Sequence, residues 1–300
     1  MKKSLKHIVL RATVGNSIKD ILSEKLNELS ALLDADIFSY WGQIVDGAEK
    51  EILKIIEELA ADKDKKDKLF VILTTGGGSA IAVERYVNIL RHHYKEVNFI
   101  VPDYAFSAGT IFCMSGDDIY MDYFSVLGPI DPQIKNKEGN WVAALGYLDK
   151  VNELIAKAKN NELTQAEFII LKDFDLAELK GYEQAKELTI ALLKKWLVKF
   201  KFKNWGTHGT NVALLGQAVT EDEKEHRAEE IADMLSDNNL WKSHGRPINI
   251  ETLENDLRLK IIDYSNNDAL RDLVREYYDL LSDYVVSSEL PIFVQTKLFI

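Results

Sequence analysis

The chain has 300 residues, of which 46% are hydrophobic and 28% charged, as in a typical soluble globular protein. Its net charge of −11 repels phosphate backbones, so we exclude nucleic acid as the main partner. The single cysteine, Cys113, excludes an intrachain disulfide. No window reaches the roughly eighteen apolar residues of a membrane span. We therefore expect a cytoplasmic protein without a membrane span.

The first part of the chain alternates predicted helices with predicted strands. Apolar residues three and four apart predict amphipathic helices at 17–35 and 46–62, with a strand between them at 36–44. The almost entirely apolar stretch KLFVILTT at 68–75 predicts a strand that is buried on both faces. This alternation favours an α/β fold with a mainly parallel sheet, in which functional groups gather where strands end and helices begin.

Three consecutive glycines follow this buried strand. Gly76, Gly77 and Gly78 lead into a predicted helix and leave bare backbone N–H groups at its start. Such groups suit either a phosphate or the oxyanion that forms when a carbonyl is attacked. The usual phosphate-loop motifs are missing. A glycine turn that binds no ligand remains a third interpretation.

The next α/β unit places a serine at the same kind of junction. In VPDYAFSAGT, Ser107 follows a predicted strand and opens a predicted helix, with the small residues Ala105 and Gly109 two positions away on each side. Small neighbours permit a sharp turn that exposes a nucleophilic hydroxyl, although a serine that caps the helix is the simpler interpretation. Because consecutive parallel units end at one sheet edge, we expect Ser107 to lie beside the glycine turn.

A serine nucleophile needs a base to remove its proton. None of the six histidines falls between 94 and 207, which leaves a lysine kept neutral by burial as a candidate. Lys150 ranks first because it lies in the apolar segment WVAALGYLDKVNELI, although taken alone it would be read as a surface lysine. Its pKa would have to fall about three units below its reference near 10.4. An ionised Asp131 beside it would prevent this, so we expect Asp131 to be turned elsewhere.

After residue 140 the sequence predicts mostly helices. Long amphipathic segments lie near 142–160, 164–203, 221–237, 250–259 and 267–287.

Three stretches together resemble the serine dehydrogenase proteinase family, which belongs to the Clp-peptidase and crotonase-like group and has signal peptide peptidase A as a cousin. They are LTTGGGSAIAVERYVNIL, VPDYAFSAGTIFCMSGDDIYMDYFSVLGPIDPQI and WKSHGRPI, and the resemblance covers roughly 70–265. It implies an α/β Clp-peptidase/crotonase-like spiral of strand–strand–helix units. We expect residues 1–66 to form a helical extension with the first strand, 67–265 the peptidase core, and 266–300 a C-terminal helical tail.

The resemblance also implies roles for individual residues. Ser107 matches the nucleophile, and Lys150, 43 residues further on, falls where Ser–Lys members place their general base. Gly77 and Gly78 match the glycine pair that forms the oxyanion hole together with the N–H of Ala108.

Two further positions bear on this assignment. The Clp peptidase carries its histidine around the position of Asp131, which favours a Ser–Lys dyad here over a Ser–His–Asp triad. His244 fits the family pattern, and we expect it to make a structural hydrogen bond. If Lys150 is not the base, His208 and His244 are the next candidates. Gly76 replaces the proline of the family's Pro-Gly-Gly, so the turn should be looser.

The expected function is that of a cytoplasmic serine endopeptidase, which acts on a peptide or protein substrate and forms a homo-oligomer. It needs no cofactor and no metal. The alternative is a weakly active or inactive peptidase-fold scaffold, suggested by the acidic amphipathic helices at 17–35 and 46–62 and by Gly76. A weaker third possibility is acyl-CoA chemistry of the crotonase type, for which the sequence offers no clear site for the CoA phosphates.

Overall fold

The computed structural model describes residues 2–131, 133–135, 141–209 and 213–300. Its helices are α1 Lys2–Leu33, α2 Glu49–Ala61, α3 Ala80–His93, α4 Ala108–Cys113, α5 Ala144–Lys159, α6 Gln165–Lys172, α7 Leu176–Trp196, α8 Glu221–Ser236, α9 Asn238–Trp241, α10 Ile250–Asn255 and α11 Asp268–Ser287, with a π-helical turn at Leu197–Lys201. Its strands are β1 Asp36–Gly42, β2 Lys68–Thr74, β3 Glu96–Val101, β4 Tyr104–Ala105, β5 Ile119–Met121, β6 Val126–Leu127, β7 Gln133–Lys135, β8 Trp141–Ala143, β9 Ile262–Asp263 and β10 Ile292–Gln295. Among these described residues, no helix combines the length and the apolar character needed to cross a bilayer.

Residues 1–127 and 248–300 form one compact unit around a sheet of order β10-β1-β2-β3-β5-β9. All neighbouring strands are parallel except β10, which runs antiparallel to β1. The central strands β2 and β3 bury every residue after the first, as their continuous apolar sequences predict. The predicted α/β fold with a mainly parallel sheet is confirmed.

Two long helices cover part of this sheet. On α1, Leu22, Leu26 and Leu29 recur at helical spacing and are fully buried in a cluster that includes Val274 and Tyr277 of α11. The predicted helix at 17–35 is therefore present, but it is the second half of a helix that begins at Lys2.

The chain after residue 287 adds a strand to the sheet. Although 266–300 was expected to be a helical tail, β10 pairs with β1, and Lys297 Nζ lies 3.2 Å from Oδ1 of the fully buried Asp36. Tyr94 donates a hydrogen bond of 2.9 Å to the other oxygen of this carboxylate. The four residues of β10 are too few to show the alternation of apolar and polar residues from which a strand is predicted. The predicted boundaries of the peptidase core, after residues 66 and 265, stay a prediction.

Residues 128–247 form a second compact unit, in which β7 and β8 pair antiparallel and helices α5 to α9 follow. The segment 164–203, predicted as one helical stretch, is divided into α6, α7 and the π-helical turn. The division has a local cause, because the Asp175 side chain accepts hydrogen bonds from the N–H groups of Ala177 and Glu178 and so begins α7.

Candidate active site

Ser107 lies at a sharp turn between β4 and α4 in the first unit. Its backbone has φ 53° and ψ −117°, a conformation that costs a residue with a side chain about 1–3 kcal/mol. Ser107 holds the N-cap position of α4, but its side chain makes no capping hydrogen bond. The hydroxyl is therefore not used to begin the helix, which favours the nucleophile interpretation over the capping interpretation.

The glycine turn lies directly against this serine. A Cβ added to Gly77 would lie 2.7 Å from Ser107 Cβ and 3.3 Å from Ser107 Oγ, and Gly77 has a φ of +108°. Gly78, with a φ of +141°, approaches the Ile44 carbonyl so closely that an added Cβ would lie 2.0 Å from its oxygen. The expectation that consecutive units bring the two turns together is met, because β2 and β3 are parallel neighbours.

The predicted oxyanion donors differ in what their N–H groups already bind. The Gly77 N–H donates to Thr75 Oγ1 at 3.0 Å, so it is engaged inside the turn. Ile44 N–H donates to the Gly77 carbonyl at 2.9 Å and Ser79 N–H to the Ile44 carbonyl at 2.8 Å. These two bonds flank Gly78 and direct its own N–H to the side opposite Ile44.

The N–H of Ala108 is the other available donor. Ala108 is the first residue of α4, so its N–H has no partner within the helix. The start of a helix also carries partial positive charge, which favours a developing anion. The N–H groups of Gly78 and Ala108 are thus suited to donate hydrogen bonds to an oxyanion. Gly77 has a different role, because its lack of a side chain allows the two turns to approach each other.

Lys150 lies on α5 in the second unit, and its surroundings differ from those predicted. Its side chain is 50% exposed and is not buried among apolar neighbours. Nζ bonds both carboxylate oxygens of Glu153, at 3.0 and 2.9 Å. Hydrogen bonds from Lys150 and then Lys157 hold the pKa of Glu153 below its ordinary value. A lysine acting as a base must be neutral, whereas this ion pair is made by its charged form.

The second unit also brings together two residues that the sequence analysis kept apart. Asp131 is 2% exposed, and its Oδ1 lies 2.8 Å from Nδ1 of His244, whose side chain is 20% exposed. The predicted hydrogen bond of His244 thus exists, with a carboxylate as its partner. If Nδ1 carries the proton, Nε2 keeps a lone pair and can act as a base.

This pairing is a feature of the candidate site that sequence reasoning missed. The two residues are 113 positions apart, and the only local signal was that both lie in short Gly- and Pro-containing stretches, GPIDPQI and WKSHGRPI.

His208, the other alternative base, contacts Glu223 through Nε2 at 3.2 Å and has its ring edge-on to Trp205. That nitrogen is therefore already engaged. Among the residues that the structure describes, no group of three or more His, Cys, Asp or Glu side chains could hold a metal ion.

A family model for ClpP-like SDH-type serine proteinases matches residues 24–213, which is more than half of the chain. The chain belongs to this family. The matched range contains the glycine turn, Ser107, Asp131 and Lys150, and it ends before His244. The resemblance stated from the sequence motifs is therefore confirmed at the level of the family.

Individual relatives extend this finding. The uncharacterised protein MJ0137 of Methanocaldococcus jannaschii is 36% identical over 157 residues, which are 49% of this chain and 52% of that protein. The uncharacterised protein MJ1495 of the same organism is 32% identical over 145 residues, 48% of this chain and 44% of that protein. The chain thus spans about half the length of the relatives it matches.

Two solved structures of the 1510-N membrane-bound stomatin-specific protease also align with the chain. The alignment with the serine-to-alanine mutant covers 77% of this chain and 79% of the mutant's chain, with 14% identity and a TM-score of 0.44. The second structure is the lysine-to-alanine mutant in complex with a substrate peptide. Its alignment covers 76% of this chain and 74% of the mutant's chain, with 16% identity and a TM-score of 0.44.

The close approach of the two turns predicts different responses at neighbouring glycines. Gly77→Ala should lower the free energy of unfolding by at least about 2 kcal/mol, because it introduces both a clash with Ser107 and an unfavourable φ. Gly76→Ala is the matched control, since its added Cβ would make an ordinary contact of 3.4 Å with Gln43 Nε2. We expect a change within about 0.5 kcal/mol there. Urea denaturation measures both, and equal losses would contradict the close approach.

The strained backbone of Ser107 can be tested with two variants that both lack the hydroxyl. Within helices and strands, a protein with alanine at a given position is more stable than one with glycine by roughly 0.5–1 kcal/mol. At φ 53° and ψ −117° we expect the order to reverse, with Ser107→Gly more stable than Ser107→Ala by about 1 kcal/mol. Thermal and urea unfolding of the two variants decide the order. An alanine variant more stable than the glycine variant would mean that the turn is unstrained.

Proposed function

We propose that this chain is a serine endopeptidase that cleaves peptide bonds by acyl transfer, with Ser107 as its nucleophile. The observation that carries the proposal is the strained turn that holds the Ser107 hydroxyl, free of any capping bond, beside the glycine turn. A chain accepts such strain where the surrounding structure fixes it, and functional sites are where it is usually found. Membership of a serine proteinase family supports the same chemistry.

The proposed reaction begins with attack by Ser107 Oγ on a peptide carbonyl carbon while a base takes the hydroxyl proton. The carbonyl oxygen becomes an oxyanion and accepts hydrogen bonds from the N–H groups of Gly78 and Ala108. The C–N bond then breaks, and the leaving amine takes the proton from the base. Water next attacks the carbonyl carbon of the Ser107 ester and gives a proton to the base. The bond between that carbon and Ser107 Oγ then breaks, the acid is released, and the base returns the proton to Ser107 Oγ.

Two residues are candidates for the role of base. The Ser–Lys dyad predicted from the sequence assigns it to Lys150. The contacts favour His244, because a hydrogen bond to the buried Asp131 can fix its ring and tautomer. A carboxylate in that position also stabilises the imidazolium that forms when the proton is taken. Lys150 would first have to leave its ion pair with Glu153.

A cytoplasmic setting and self-association belong to the proposal as well. Four apolar side chains of α6 and the start of α7 are more than half exposed in the second unit, which supports burial against another molecule. They are Phe168, Ile169, Ile170 and Leu176.

The nucleophile is tested with a fluorophosphonate probe, in which attack by Oγ forms an O–P bond and expels fluoride. We expect the folded wild-type protein to be labelled at Ser107, as located by peptide mass spectrometry. Ser107→Ala should lose the label entirely, because the attacking oxygen is gone. Ser288→Ala removes an exposed serine at the end of α11 and should label like the wild type. A wild-type protein that stays unlabelled, with and without candidate peptide substrates, would refute the proposal.

The base is identified by comparing labelling rates among variants. His244→Ala should slow labelling by about 10²–10⁴-fold, the usual contribution of a general base. Asp131→Asn, which keeps the shape of the side chain but removes its charge, should also slow it. Lys150→Ala should stay within about threefold of the wild type, since an exposed lysine side chain is lost with little consequence. The reverse order, with Lys150→Ala slow and His244→Ala fast, would support the Ser–Lys dyad and refute His244.

A further inference from the structure

Thr75 is the residue at which the two turns of the first unit are joined. It follows β2 and precedes the glycine turn, and it is 1% exposed. Its N–H donates to the Tyr104 carbonyl at 3.1 Å, and its carbonyl accepts from the Phe106 N–H at 2.9 Å. The backbone of Thr75 is therefore paired with the residues that lead into Ser107.

The side chain of Thr75 reaches the glycine turn. Its hydroxyl accepts the Gly77 N–H at 3.0 Å and lies 3.3 Å from the Gly77 carbonyl oxygen, to which it donates. Its methyl carbon Cγ2 occupies the space beside Gly109, where an added Cβ would lie only 2.4 Å away. One buried side chain thus contacts both the glycine turn and the first turn of α4.

The Gly77 carbonyl matters because of the peptide group to which it belongs. That group also contains the N–H of Gly78, and in a planar trans peptide the C=O and N–H point in opposite directions. The carbonyl accepts hydrogen bonds from the Ile44 N–H and the Thr75 hydroxyl on one side. These bonds consequently fix the direction in which the Gly78 N–H points.

A peptide between two glycines is easily rotated, because glycine populates positive and negative φ about equally. We propose that the Thr75 hydroxyl is a positioning group of the active site, which holds the Gly77–Gly78 peptide so that the Gly78 N–H faces the oxyanion. This inference rests on the proposed peptidase function. It assigns Thr75 no contact with the substrate, so the residue acts only through Gly78.

The test compares two pairs of variants that differ in the hydroxyl. Thr75→Val replaces the hydroxyl of the wild type by a methyl group, and Thr75→Ser and Thr75→Ala differ from each other only in the hydroxyl. We expect Thr75→Val and Thr75→Ala to react with the fluorophosphonate about 10²-fold more slowly, as when an oxyanion donor is lost. Thr75→Ser should stay within about threefold of the wild type. Thr74→Val, at the preceding buried threonine, should label like the wild type.

Recovery of the rate by serine is the outcome that a merely structural threonine would not produce. Thermal unfolding identifies any variant that is not folded. If Thr75→Val does not fold, the comparison is made between Thr75→Ser and Thr75→Ala alone. Equal rates for Thr75→Ser and Thr75→Ala, whether fast or slow, would overturn the role of the hydroxyl while leaving the peptidase proposal intact. A wild-type protein that does not react would instead refute the peptidase proposal, and this inference with it.

Discussion

The architecture of the first unit depends on one close approach at the carboxyl edge of its sheet. Between Gly77 and Ser107 there is room for the side chain of the serine but not for a second Cβ. The close approach has two costs. The strained backbone of Ser107 costs about 1–3 kcal/mol. A glycine also loses more backbone conformational entropy on folding than an alanine does, which costs roughly 0.5–1 kcal/mol. Such amounts are large against a typical net stability of about 5–15 kcal/mol. They can be tolerated because the glycine turn follows β2 and the Ser107 turn follows β4, directly after β3, and β2 and β3 are paired and buried strands.

The parts of this arrangement that could be predicted from the sequence are those with a local cause. The apolar run at 68–75 specifies a buried strand, and glycines directly after it specify a turn. Ser107 between small residues specifies an exposed elbow. Parallel pairing of consecutive units then places both turns at one edge of the sheet. The position of the proposed nucleophile, Ser107, could therefore be predicted from short-range patterns together with one rule of topology.

The parts that could not be predicted depend on contacts between distant residues. The strand β10 is recognisable only through its pairing with β1, some 250 residues earlier in the chain, at a distance where sequence pattern carries no information. The hydrogen bond between Asp131 and His244 has the same character. Lys150 was ranked by its apolar neighbours in sequence, but on a helix those neighbours lie on several faces, so they did not ensure that its own side chain is buried.

The energetics of Asp131 give a reason to regard its pair with His244 as more than structural. A buried carboxylate is costly unless its oxygens are bonded, and Oδ2 of Asp131 is buried without a hydrogen-bond partner among the residues that the structure describes. A purely structural hydrogen bond could be made by a neutral side chain at lower cost. A charge at this position gains most when the partner ring becomes charged, because the carboxylate then stabilises the imidazolium. The incomplete bonding of the buried Asp131 therefore supports the proposed role of His244 as the base.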